Sequence, residues 1–154
     1  MKKIYLLVTA AFLCSCTSSR YVTVPLGKGA ERQKIAADFV ETYLNKCSNK
    51  DYSPFEGFNI SAKFNSKLHP DSLKRSCDRI AYSYGKVKVE KLVSVHSRKS
   101  PRDFIDVFNF KITTEKKPEV QYLHLGMYRD QNYLEVPFYF NKDENYLDYR
   151  KKKK

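Results

Sequence analysis

The 154-residue sequence predicts an α+β fold, with N-terminal helices packed on a curved antiparallel sheet of four to five strands. Two observations carry this. As far as Gly85 the apolar residues recur at steps of three and four, and after it they alternate. Turn-rich breaks then cut the alternating part into consecutive short segments, the pattern of an antiparallel meander. Helices followed by strands gather on one face of such a sheet.

The first helix is predicted within "ERQKIAADFVETYLNKCSNKDY". Ile35, Ala36, Phe39, Val40, Tyr43, Leu44 and Cys47 share one face, and Glu31, Arg32, Lys34, Asp38, Glu41 and Lys46 the other. It should stop near Ser48 or Asn49. Pro54 and Gly57 interrupt the next stretch, which has room for a short helix or turn around Ile60 to Phe64. In "DSLKRSCDRIAYSYG" either Asp71 or Ser72 suits the N-cap, Leu73, Cys77, Ile80, Ala81 and Tyr84 form the stripe, and Gly85 suits the C-terminal cap. Strand alternation follows at Val87, Val89, Val93 and Val95, then at Phe104, Phe108, Phe110 and Ile112. It continues at Leu123, Leu125 and Met127, then at Leu134, Val136, Phe138 and Phe140, with a short "YLDY" last.

The chain opens with "MKKIYLLVTAAFLCSC": two lysines, an apolar stretch from Ile4 to Leu13, then small residues. That is the layout of a secretory signal peptide. The apolar part is shorter than the roughly 20 residues a spanning helix needs. Leu13, Cys14, Ser15 and Cys16 resemble the lipobox of bacterial lipoproteins. The resemblance implies a diacylglyceryl thioether on Cys16, removal of residues 1–15, and acylation of the new amino group by a chain such as palmitate. Cys14 fits the lipid site poorly, because Phe12 and Leu13 would stand where small residues belong. No further ligands at zinc-site spacing lie near the two cysteines. The alternative is an ordinary signal peptide that leaves Cys16 as a free thiol. Thr17, in place of Asp, tilts the destination toward the outer membrane if the host is Gram-negative. The expected organisation is a signal peptide (1–15), a tether with Pro25, Gly27 and Gly29 (16–30), one domain (31–149) and a basic tail (150–154).

The whole chain carries +12, and loss of Lys2 and Lys3 with the signal leaves +10. The cations are spread over the polar faces, with one dense run at the tail, "YRKKKK". That run suits anionic headgroups or peptidoglycan acids, and the export signal argues against nucleic acid. Two cysteines remain, Cys47 and Cys77, both on apolar helix faces. They are either a disulfide, as an exported protein allows, or two buried thiols.

The stretch "LHPDSLKRSCDRIAYSYGKVKVEKLVSV" has a Pro-acidic helix start, a "YGK" exit and then the sheet. It resembles the small bacterial secreted or lipoprotein domains of the cystatin-like α+β superfamily, which includes nuclear transport factor 2. The resemblance covers residues 32 to 149. It implies a long and a shorter helix in the concavity of a curved sheet. The superfamily includes isomerases and dehydratases with a pocket acid, and its domains often pair through the outer sheet face.

Chemistry-bearing residues are few. His69, His96 and His124 form no spaced cluster with cysteines or carboxylates, and no metal or cofactor motif is present. His69 is expected in solvent, His96 at a strand end and His124 on the outer sheet face. No catalytic triad order, phosphate loop or nucleophile elbow is visible. Asp106 is the exception, because it shares the phase of Phe104, Phe108 and Phe110. A carboxylate among apolar groups can act as a base. Tyr82, Tyr84, Phe104, Phe108, Phe110 and Tyr122 either line a cleft for a small apolar ligand or fill the core. Tyr122, Tyr128, Tyr133 and Tyr139 share one phase within the last two strands, which suits an interface with an envelope protein or a second copy. The leading expectation is a membrane-anchored, non-catalytic binding or interaction module at the cell envelope. The alternative is a small pocket enzyme of isomerase, dehydratase or hydrolase type using Asp106. An enzyme needs Asp106 buried in a cleft with a second polar group in reach, and an interaction module needs an exposed tyrosine face.

Overall fold

The structure, a computed structural model, describes residues 21–98, 105–129 and 132–144. The expected signal peptide, Cys14, Cys16, Phe104, the "YLDY" segment and the basic tail lie outside them. The elements are β1 (Tyr21–Val24), α1 (Ala30–Asn49), α2 (Ala62–Asn65), α3 (Pro70–Tyr84), β2 (Val87–Arg98), β3 (Ile105–Thr114), β4 (Tyr122–Tyr128) and β5 (Leu134–Asn141). The strands form one sheet in the order β1-β2-β3-β4-β5, each pair antiparallel. The fold is α+β, with the helices on one face of a curved sheet.

The meander β2 to β5 follows the alternation in the sequence. The fifth strand is β1, inside the stretch expected to be a tether. All four of its residues are aromatic or β-branched, types that favour extended backbone. It pairs from Tyr21 opposite Arg98 to Val24 opposite Val95. At an edge it needs a partner on one side only.

The helix α1 buries Ala36, Phe39, Val40, Tyr43 and Leu44, the expected stripe. Phe39 sits at the centre of an aromatic cluster, with Phe55, Phe58, Phe64 and Phe138 ring centroids 5.2 to 5.9 Å away. The short α2 is capped by Ser61, whose hydroxyl accepts from the Phe64 N–H at 3.2 Å. α3 begins at Pro70 with His69 as its N-cap residue, two residues ahead of Asp71 and three ahead of Ser72. The fixed φ of proline suits the first helical position, where its missing N–H costs nothing. Cys47 of α1 and Cys77 of α3 are joined by a disulfide, with Cα atoms 5.0 Å apart.

β2 departs from simple alternation. Its register against β3 shifts between Val89 and Lys91 and again between Leu92 and Ser94. Each bulge inserts one residue and bends the strand. Val87, Val89, Leu92 and Val95 therefore pack against the core, and Val93 falls at the second bulge. They meet Phe108, Phe110 and Ile112 of β3 and Leu123, Leu125 and Met127 of β4 under the helices. The start of β5 is covered at its edge: the Ser61 N–H donates to the Leu134 carbonyl at 3.0 Å, and the Leu134 N–H to Asn59 at 2.9 Å.

Candidate functional site

One end of the inner sheet face is not filled by helix. Val22 and Val24 of β1, Val95 and Ser97 of β2, and Asp106 and Phe108 of β3 form the floor of a cleft of about 700 Å³. Lys28, Gly29, Arg32 and Gln33, from the turn and first residues of α1, form its roof, and Arg129 closes the end of β4. The volume is typical of small-molecule sites, and the valines, Pro25 and Phe108 make much of the wall apolar. Five residues, Pro25 to Gly29, join β1 to α1, and Pro25, Lys28 and Gly29 among them lie in the cleft wall.

Asp106 lies at the end of this floor, 5% exposed. Arg32 donates from Nη2 to its Oδ2 at 3.0 Å, and Arg129 Nε lies 3.2 Å from Oδ1. The Ser97 hydroxyl donates to Oδ1 as well. Arg32 also donates from Nη1 to the carbonyls of Tyr128 (3.2 Å) and Arg129 (2.7 Å) and to Asn132 Oδ1 (2.6 Å). One guanidinium thus pins the start of α1 to β3 and to the β4–β5 turn. Asp106 was expected among apolar groups, where it could serve as a base. It is indeed buried in a cleft with polar groups in reach, but both oxygens are engaged by two guanidiniums and a hydroxyl. That geometry suits a counter-ion that holds the arginines in place. Around it three cations, Lys28, Arg32 and Arg129, line the cleft against this one carboxylate.

Arg32, Ser97, Arg129 and Lys28 were missed as site residues. The helical pattern assigned Arg32 to the solvent face, and only the position of β1 and the turn beyond β4 turns that face into a cleft. Of the residues expected to line a cleft, Phe108 does so. Phe110 is in the core, Tyr84 stacks on Phe140 with centroids 4.4 Å apart, and Tyr82 is 84% exposed on α3. Tyr122 stands beside Lys111, whose Nζ is 4.7 Å from its ring centroid.

The four interface tyrosines do not make one exposed row. Tyr139 is 39% exposed, whereas Tyr122, Tyr128 and Tyr133 are half-buried, the last two stacked at 4.9 Å. Between Tyr122 and Tyr128 the outer face of β4 carries His124, 1% exposed, and buried Gly126.

His124 belongs to a polar chain across the outer face. Its Nδ1 donates to Asn109 Oδ1, and Asn109 Nδ2 donates to Ser94 Oγ at 2.9 Å. Ser94 Oγ lies 3.2 Å from His96 Nε2, and His96 Nδ1 lies 3.4 Å from Thr23 Oγ1. Each bond is consistent with a neutral imidazole that donates from Nδ1. Burial pushes His124 down to about 4, opposed by the Asp143 backbone and Glu144 and reinforced by His96. Burial also lowers His96, again opposed by Glu144. His69, at the start of α3, is exposed.

Among the described residues, no group of three or more His, Cys, Asp or Glu side chains is placed to hold a metal ion. No helix among them is long and apolar enough to cross a membrane. No family model, curated protein or solved structure matches this chain.

Proposed function

We propose that the chain is an exported, lipid-anchored binding module of the nuclear transport factor 2-like type, and that the cleft beneath the start of α1 takes a small, largely apolar ligand. The cleft carries this reading: it is large enough for such a ligand, walled by Val22, Val24, Val95 and Phe108, and its one acid is committed to two arginines. The Cys47–Cys77 disulfide supports export, since such bonds persist in oxidising compartments. The signal-like N-terminus and Cys16 support the anchor.

Native mass spectrometry of the full lipidated protein released from nanodiscs tests the cleft. Wild type is expected to retain a small-molecule adduct, or to acquire one from an added apolar probe such as N-phenyl-1-naphthylamine. Val22→Trp, which fills the rim from an exposed edge position, should lose it. Equal retention in both proteins, or none in wild type, would remove the binding reading.

A further inference from the structure

The start of β1 fixes how far the cleft can stand from the membrane. Tyr21 is already in the sheet, so only four residues, five Cα-to-Cα steps, separate the proposed lipid site Cys16 from the start of β1. Five such steps span at most about 17 Å when fully extended. The next residues, Val22, Thr23, Val24, Pro25, Lys28 and Gly29, are themselves cleft wall. Tyr21 pairs with Arg98 at one end of the sheet, the same end that carries Asp106 and, just past β4, Arg129. An anchor at Cys16 therefore holds the Asp106 and Arg129 end of the cleft, and not the far end of the domain, beside the bilayer surface.

The charge there has a matching sign. Lys28, Arg32 and Arg129 outnumber Asp106, and the positive end of the α1 dipole adds to them, since its N-cap residue Gly29 lines the cleft. Beyond this basic end the floor is valine and phenylalanine. One class of molecule has both parts in that order: an acyl chain with a phosphate or carboxylate head.

We infer that the cleft accepts an anionic amphiphile from the leaflet in which Cys16 is anchored, with the headgroup against Lys28 and Arg129 and the chain along Val22, Val24, Val95 and Phe108. This rests on the lipid-anchored binding reading above and adds to it the ligand's charge and source. Anionic headgroups attract basic groups only within about a Debye length of the surface. The short tether supplies that proximity.

The test uses the full lipidated chain in vesicles with photoactivatable lipids, and maps crosslinks by peptide. Photoactivatable phosphatidylglycerol should label peptides holding residues 22–29 and 95–108, and phosphatidylcholine of the same chain should label them several-fold less. Lys28→Glu should lower the phosphatidylglycerol signal several-fold, while Lys63→Glu, outside the cleft, should leave it unchanged. A long Gly/Ser insertion between Ser18 and Ser19 should also lower it several-fold, yet leave labelling by photoactivatable octanoate added from water intact. Equal labelling by the two phospholipids, or an unchanged signal in Lys28→Glu, would overturn the anionic class. An unchanged signal with the insertion would overturn capture from the leaflet while the binding reading stood. Absence of labelling by octanoate as well would remove both.

Discussion

At the scale of single residues, Asp106 shows what phase can and cannot reveal. Its alternation with Phe108 and Phe110 correctly placed it on the inner face. Its partners were not legible, because Arg32 is 74 positions away and looks like any solvated helix cation. If Asp106 is the counter-ion of Arg32 and Arg129, Asp106→Asn leaves two guanidiniums facing a neutral amide. Breaking a buried ion pair from one side costs about 3 kcal/mol. Urea denaturation should show a lower midpoint with an unchanged slope. A variant as stable as wild type, or more so, would point instead to an acid kept for chemistry at the expense of stability. His124 gives a second residue-level expectation. Its folded pKa is lowered to about 4, while the unfolded chain titrates near 6.5. Above 6.5 both states are neutral and this group adds no pH dependence. Between 6.5 and 4 the unfolded state takes up a proton that the folded state refuses, so stability falls as the pH is lowered. From pH 7 to 5.5 the loss should be about 1 kcal/mol, since one pKa unit is worth about 1.4. His96 is shifted in the same direction and adds to it. Denaturation at the two pH values should show a smaller difference in His124→Gln. An equal difference would exclude His124 as its source.

At the scale of elements, long periodic segments were readable and short or irregular ones were not. α1 and α3 announced themselves through repeated apolar positions at helical spacing. β1 did not: four residues followed by Pro25 and Gly27 read as a tether, and only pairing with the end of β2 makes them a strand. The bulges in β2 were hidden for another reason. "VKVEKLVSV" satisfies a two-residue period well enough that nothing local tells Leu92 from Val93; the register against β3 decides. The disulfide was open in the sequence because pairing depends on where two helices cross. Its loop of about 30 residues gives roughly 3.5 kcal/mol in the chain-entropy estimate. Reduction, or a Cys47→Ala, Cys77→Ala double variant, should lower stability by a few kcal/mol, read as a fall in Tm. An unchanged Tm under reducing conditions would show that the bridge constrains little. The α3–β2 junction is tighter still. Gly85 has φ 68°, ψ −141°, and a Cβ there would lie 2.7 Å from Glu115 Oε2, which accepts the Lys86 N–H at 2.9 Å. Gly85→Ala should therefore cost about 2 kcal/mol through backbone conformation. Adding Glu115→Ala should recover only the part due to the side-chain clash. Full recovery in a denaturation cycle would assign the whole cost to the clash.

At the scale of the whole molecule, the proposed anchor and the net charge would act on the same membrane contact. The proposed address rests on the first residues alone, because export signals are read locally. The cleft was not legible there, because it is assembled from β1, the start of α1, two further strands and the turn after β4. Without residues 1–15 the chain would carry +10, and anionic bilayers attract such a protein even without an anchor. That attraction is screened by salt, whereas buried acyl chains hold through roughly 0.8 kcal/mol per methylene regardless of ionic strength. The two contributions can therefore be separated. Lipidated wild type should stay with membranes through a high-salt wash and require detergent for release. Cys16→Ser, if exported, should bind anionic vesicles weakly at low ionic strength and leave them at about 0.5 M salt, where screening acts over only a few ångströms. A Cys16→Ser protein that also needs detergent would mean that the uncleaved apolar segment or another surface holds the membrane. Wild type released by salt alone would mean that Cys16 carries no lipid, and the distance argument that places the cleft at the bilayer would lose its anchor point.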